Sequence, residues 1–162
     1  MPRLKLISSD NKILREKNAG VAFPLSKEVR ELIDQMFFAV RKFRGVGLAA
    51  SQVGKNLRLA VIDLNTLEIP PFAIINPVIK SKSFRKASME EGCLSIPGKY
   101  AEVKRPETIK LEFFTQGGKK VKLKAEGFLA RVFQHEIDHL NGIIISDKWD
   151  VKTLRDIPPE GS

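Results

Sequence analysis

The chain has 162 residues, 43% hydrophobic and 29% charged, which is the length of one domain with an ordinary globular composition and excludes a collagen-like, low-complexity or disordered chain. A net charge of +9 suits a polyanionic neighbour such as nucleic acid, a ribosome or an anionic membrane surface, but the lysines and arginines are scattered and no RRM, KH or zinc-finger pattern accompanies them, so specific DNA recognition is not expected. The apolar runs are too short to span a membrane, residues 1–8 lack a secretory h-region, and a single cysteine, Cys93, permits no internal disulfide, so the expected compartment is reducing and cytoplasmic.

The first stretch, to about Pro24, is mixed, with one apolar patch at Leu4, Leu6 and Ile7. Ser26 then offers an N-cap oxygen to the free N–H groups of a first helical turn. Val29, Leu32, Ile33, Met36, Phe37 and Val40 follow at helical spacing and form one apolar stripe. Gly45 and Gly47 are the expected stop, since glycine tolerates the left-handed conformation that ends many helices. Leu57–Leu64 and Phe72–Ile79 read as strands broken by Pro70–Pro71. Ile109, Leu111 and Phe113, then Val121, Leu123 and Ala125, alternate with polar residues around Gly117–Gly118, which predicts an antiparallel hairpin. A second helix is expected from about Gly127 to Asn141, with Gly142 as its stop. Residues 1–150 are expected to form a single domain, and 151–162, with Pro158–Pro159, a short tail that frays. Strands followed by a helix, with no repeated βαβ rhythm, indicate an α+β fold.

Three segments carry chemistry. His135-Glu136-Ile137-Asp138-His139 places the chain's two histidines four residues apart, on one face of the second helix, where both imidazoles reach one metal ion. Glu136 sits beside them, placed to work on water rather than to ligate. Catalytic sites of this kind usually have three protein ligands. Cys93, in Glu91-Gly92-Cys93-Leu94-Ser95, is the outstanding candidate for the third; an aspartate or glutamate is the alternative. The third segment, Gly45-Val46-Gly47-Leu48-Ala49-Ala50-Ser51-Gln52, lets backbone approach another group closely and ends in an amide donor.

In this order and spacing the three segments resemble the three motifs of the peptide deformylases, in their compact bacterial or organellar form. The resemblance runs from about Ile13 to Trp149. Two departures are Ser51, where many members have proline, and a tail whose Pro158–Pro159 forbids the long C-terminal helix of some bacterial members.

The resemblance implies antiparallel sheets packed around a central helix that carries the His-Glu-Ile-Asp-His segment, with the N-terminal amphipathic helix beside them. It implies a metal-dependent hydrolase that removes the formyl group from the N-terminal formyl-methionine of newly made proteins and releases formate. Cys93, His135 and His139 would hold one divalent ion, Fe²⁺ by family pattern, with Zn²⁺, Ni²⁺ or Co²⁺ able to substitute. Glu136 would be the general base, and the Gln52 side chain and the Leu94 N–H would bind the oxyanion. Val46, Phe128, Val132 and His135 would line the methionine pocket. The peptide would add as a strand along Gly45–Gly47 and near Gly98–Tyr100, so that Gly45, Gly47 and Tyr100 contact substrate. Formyl-methionyl nascent chains are the implied partners, with the ribosome reached through the basic surface, no membrane contact and a monomeric state.

Two other classes share some of these features. A zinc peptidase also uses the His-Glu-x-x-His pattern, but it needs a third ligand further along, and only 23 residues follow His139. A non-catalytic, basic RNA-binding module with a structural metal would leave Glu136 dispensable.

Overall fold

The computed structural model describes residues 3–66 and 68–157. Two helices, α1 (Lys27–Lys42) and α2 (Gly127–Leu140), pack with two antiparallel sheets into an α+β fold. The larger sheet has five strands in the order β1-β2-β3-β6-β7: β1 (Gly47–Ala49), β2 (Leu59–Ile62), β3 (Phe72–Lys82), β6 (Thr108–Phe114) and β7 (Lys120–Glu126). The smaller has the order β4-β5-β8: β4 (Lys86–Cys93), β5 (Ile96–Pro106) and β8 (Arg155–Asp156).

The N-cap of α1 is Ser26, whose hydroxyl accepts from Val29 N. Its stripe, Leu32, Ile33, Met36 and Val40, is buried against Leu48, Leu59, Val61 and Ile75 of the larger sheet. The stop differs from the expected one. The left-handed residue after α1 is Arg44, at φ 57°, while Gly45 donates back to Val40 O at 2.9 Å and closes the last turn. Gly45 and Gly47 serve close approach instead: a Cβ on Gly45 would meet Leu94 Cδ1 at 2.8 Å, and one on Gly47 would meet Glu136 Oε2 at 2.6 Å.

On the other face of the larger sheet, α2 buries Ala130, Phe133, Ile137 and Leu140 against Ile62, Ile74, Ile109, Leu111 and Phe113. Full burial of a side chain like Phe133 contributes about 1.5–3 kcal/mol. The expected β6–β7 hairpin is present, with Ile109 opposite Ala125 and Leu111 opposite Leu123. Gly142 ends α2 at φ 77°.

The short strands β1 and β8 went unread in the sequence, and so did the long pair β4 and β5. Their inward positions include Glu91 and Arg105, both buried, so the alternation of apolar and polar residues is interrupted where it would have revealed them. Residues 151–157 of the expected tail lie on this sheet: Arg155 pairs with Tyr100, Asp156 with Lys99, and Ile157 N donates to Gly98 O at 2.6 Å. Pro158–Pro159 lies outside the described residues. Among the described residues no helix is long and apolar enough to cross a membrane.

Gly142 is pinned twice, by its positive φ and because a Cβ there would strike the Arg15 carbonyl. Gly142→Ala should therefore destabilise the fold by roughly 1–3 kcal/mol, read as a lower urea midpoint with an unchanged slope.

Candidate metal centre and cavity

Strand β4 ends at Cys93, and α2 runs past it with His135 and His139 one turn apart. The ligand atoms of Cys93, His135 and His139 all lie within 4.8 Å of one another, with Cys93 Sγ 3.4 Å from His139 Nε2. The two imidazoles meet edge to face at 5.1 Å between centroids. One thiolate and two imidazoles form a soft-to-borderline donor set that suits a divalent transition ion.

The surrounding electrostatics fit a cation at this point. Burial opposes charge on both histidines. It holds His139 well below the ordinary histidine range, as a neutral ligand requires. It is outweighed at His135, where Cys93, Glu136 and Glu91 favour positive charge and raise the pKa well above that range. Glu136 is 3% exposed; its Oε1, like His139 Nδ1, has no hydrogen-bond partner among the described residues. Burial pushes the Glu136 carboxyl up to about 7.

His135 is oriented by a group whose role the sequence did not disclose. Its Nδ1 lies 2.9 Å from Glu91 Oε1, which leaves Nε2 as the nitrogen available to an ion. Glu91 is in turn held by Arg105, through Nε at 2.6 Å and Nη2 at 3.0 Å, and by Arg131 Nη1 at 2.5 Å. Burial would raise the Glu91 carboxyl, but its bonds to His135 and Arg105 prevail and hold it down at about 2. Arg105 also bonds Asp138 at 2.8 Å. The sequence signals were present but indirect: Glu91 stands two residues before Cys93, on the same side of a strand, and Arg131 stands one helical turn before His135.

A cavity of about 500 Å³ opens beside these groups. The substrate residues expected from the sequence, Gly45, Val46, Gly47, Tyr100, Phe128 and Val132, all line it, as do Gln52, Leu94, Cys93, His135 and Glu136. Gln52 is buried; its Oε1 accepts from Ala49 N at 3.0 Å, and its Nε2 reaches Ser95 Oγ at 3.2 Å and Cys93 Sγ at 3.6 Å. Leu94 stands in the two-residue turn between β4 and β5. Ser51 is wholly buried with its hydroxyl unpartnered among the described residues. On β5, Lys99 and Tyr100 pair with Asp156 and Arg155 of β8, and Tyr100 pairs with Gly92 of β4, whereas Pro97–Lys99 fall at the register shift and have no ladder partner on β4. Among the described residues, strand β1 has a ladder partner on one side only and keeps a free edge.

The donor set predicts one tightly bound divalent ion per chain. Cys93→Ala removes the only thiolate and should leave less than stoichiometric metal after desalting, measured by elemental analysis. Full occupancy in that variant would remove Cys93 from the ligand set.

The family model "Polypeptide deformylase" matches residues 3–155. A peptide deformylase of Prochlorococcus marinus (strain NATL1A) is 44% identical over 149 residues, covering 91% of this chain and 73% of the relative. The crystal structure of a probable peptide deformylase from Synechococcus phage S-SSM7 superposes with a TM-score of 0.84 at 45% identity, covering 90% of this chain and 99% of that one. A peptide deformylase from Synechococcus elongatus, solved in complex with actinonin, superposes with a TM-score of 0.88 at 39% identity, covering 94% and 83%. With the Cys-His-His group on the expected helix and strand, the chain belongs to the polypeptide deformylase family.

Proposed function

We propose that Cys93, His135 and His139 hold one divalent ion, and that Glu136, Gln52 and Leu94 work beside it to carry out the reaction of the family, removal of the N-formyl group from nascent polypeptides. The observation that carries this reading is Glu136: a buried carboxyl with an unpartnered oxygen, lining the cavity beside the three ligand residues and against the Gly47 backbone. A bound divalent ion supplies Lewis acidity toward the formyl oxygen and lowers the pKa of the attacking water.

Glu136 accepts a proton from that water as it attacks the formyl carbon. A carboxyl pushed up to about 7 by burial trades protons near neutrality, so the same group returns the proton to the departing amine nitrogen. The oxyanion of the tetrahedral intermediate takes hydrogen bonds from Gln52 Nε2 and the Leu94 N–H. Gln52 is held by the Ala49 N–H on its Oε1, and its Nε2 exchanges the long contact to Cys93 Sγ for the oxyanion while keeping Ser95 Oγ. Formate and the free amino terminus are the products.

Val46, Phe128, Val132 and His135 receive the methionine side chain, and the free edge of β1 takes the peptide backbone as an added strand. Gly47 leaves no room for a Cβ beside Glu136, which favours the smallest acyl group.

Fe²⁺ is our assignment for the ion, with Zn²⁺, Ni²⁺ and Co²⁺ as substitutes that the same donors accept. We place the chain in the cytoplasm, where a ligand cysteine stays reduced, acting as a monomer close to the ribosome that supplies its substrates.

Glu136→Gln should keep fold and metal content while deformylation of a formyl-Met peptide falls by roughly 10²–10⁴-fold. Loss of metal in that variant would make Glu136 a ligand, and near-normal activity would move the base elsewhere. Acetyl-Met peptides should be hydrolysed far more slowly than formyl-Met peptides; comparable kcat/KM would show that the site does not exclude a methyl group. Fe²⁺-loaded protein should lose activity in air, with oxygen added at Cys93 by mass spectrometry, faster than the Ni²⁺-loaded form. Equal half-lives would argue against iron held by an accessible thiolate.

A further inference from the structure

The larger sheet is covered unevenly. α2 packs on one face throughout, whereas α1 covers the other face only over β1, β2 and the start of β3. Beyond α1, and beyond Phe23, which packs on Phe114 of β6, the outer face of β3, β6 and β7 is open to solvent among the described residues. It carries Lys80, Lys110, Lys120, Lys122 and Lys124, with Glu112 and Glu126 as its acidic residues and Val78 half exposed. Glu112 is shared by Lys80 at 3.4 Å, Lys120 at 3.2 Å and Lys122 at 4.0 Å, and Lys124 reaches Glu126 at 3.6 Å. Lys110 stands directly opposite Lys124 in the β6–β7 ladder. Like charges in that position weaken a hairpin, a cost that the exposed Lys124–Glu126 pair offsets only in part.

The geometry suits a phosphate backbone. Alternate residues of a strand lie roughly 7 Å apart, so Lys120, Lys122 and Lys124 form an evenly spaced row of cations. At the end of this face nearest Lys110, the turn between β3 and β4 projects Phe84, fully exposed, between Lys82 and Lys86. That turn is tied to the sheet by Ser83 N donating to Thr108 O at 2.9 Å. A lone exposed ring buries little area in a bilayer but offers a stacking face to a nucleobase. No residue of β3, β6 or β7 lines the cavity, so a chain held by its lysine face keeps the cavity open.

We propose that this lysine face, with Phe84 at its edge, docks the chain on the phosphate backbone of ribosomal RNA. The inference rests on the ribosome association proposed above and assigns the surface that provides it.

The test is co-sedimentation of the full metal-loaded chain with purified bacterial ribosomes over a salt series, beside binding to a single-stranded RNA oligonucleotide and to anionic phospholipid vesicles. Lys110→Gln/Lys122→Gln/Lys124→Gln should weaken ribosome and RNA binding by about tenfold or more at low salt and reduce the slope of log K against log salt by about 2–3. Phe84→Ala should weaken RNA binding several-fold with the slope unchanged. Both variants should hydrolyse a short formyl-Met peptide within about twofold of the parent rate. A matched control on α1, Lys27→Gln/Arg30→Gln/Lys42→Gln, should bind like the parent chain. The proposal is overturned if the sheet variant binds ribosomes as the parent does, if the α1 control loses as much, or if vesicles bind in preference to RNA. A parent chain that binds the oligonucleotide but not ribosomes refutes the ribosome reading itself, whereas unaltered ribosome binding by the sheet variant refutes only this surface.

Discussion

The buried carboxylate of Glu91 ties the two halves of the site together. It sits on β4, two residues before Cys93, and its oxygens take bonds from Arg105 on β5 and from Arg131 and His135 on α2. The strand that carries the thiolate and the helix that carries both imidazoles are thereby locked in one register. Burying such a charge is expensive, and its partners must offset the loss of water; deleting one partner of a buried pair typically costs about 3–5 kcal/mol. Because its carboxyl is held down at about 2, against 4.5 for an ordinary glutamate, the stability it contributes is present above the ordinary range and is lost as pH falls toward 2.

Two carboxyls of one cavity are driven in opposite directions. Glu91 has two guanidinium partners and an imidazole, and it stays ionised. Glu136 lacks any such partner on Oε1, and burial leaves its carboxyl at about 7. Divergence of this kind separates the jobs of neighbouring acids. In the reading proposed here, the ionised group positions His135 and the poised group exchanges protons. Gly47 completes the arrangement by letting the β1 backbone approach Glu136 within a distance that a side chain would forbid.

The chemistry was legible in the sequence because it depends on residue types at fixed helical spacing. His135, Glu136 and His139 are placed by one turn of helix, and the lone Cys93 had no competitor among thiols. The apolar stripe of α1 and the β6–β7 hairpin were equally plain, since their inward residues are uniformly apolar. The strands β4 and β5 were hidden for the converse reason: Glu91 and Arg105, the charges that organise the site, occupy inward positions where a pattern reading expects apolar residues. The left-handed conformation at Arg44 and the closure of the β5 edge by β8 arise from contacts that local sequence does not encode.

If Glu91 fixes His135 as the contact at Nδ1 indicates, one imidazole nitrogen is reserved for an ion. Long-range ¹H–¹⁵N correlation of the histidine rings in Zn²⁺-loaded protein reads this directly. His135 Nδ1 should carry the proton donated to Glu91, and Nε2 should show the shift of a metal ligand. A proton on Nε2, or a His135 ring that titrates freely in the loaded protein, would contradict that arrangement.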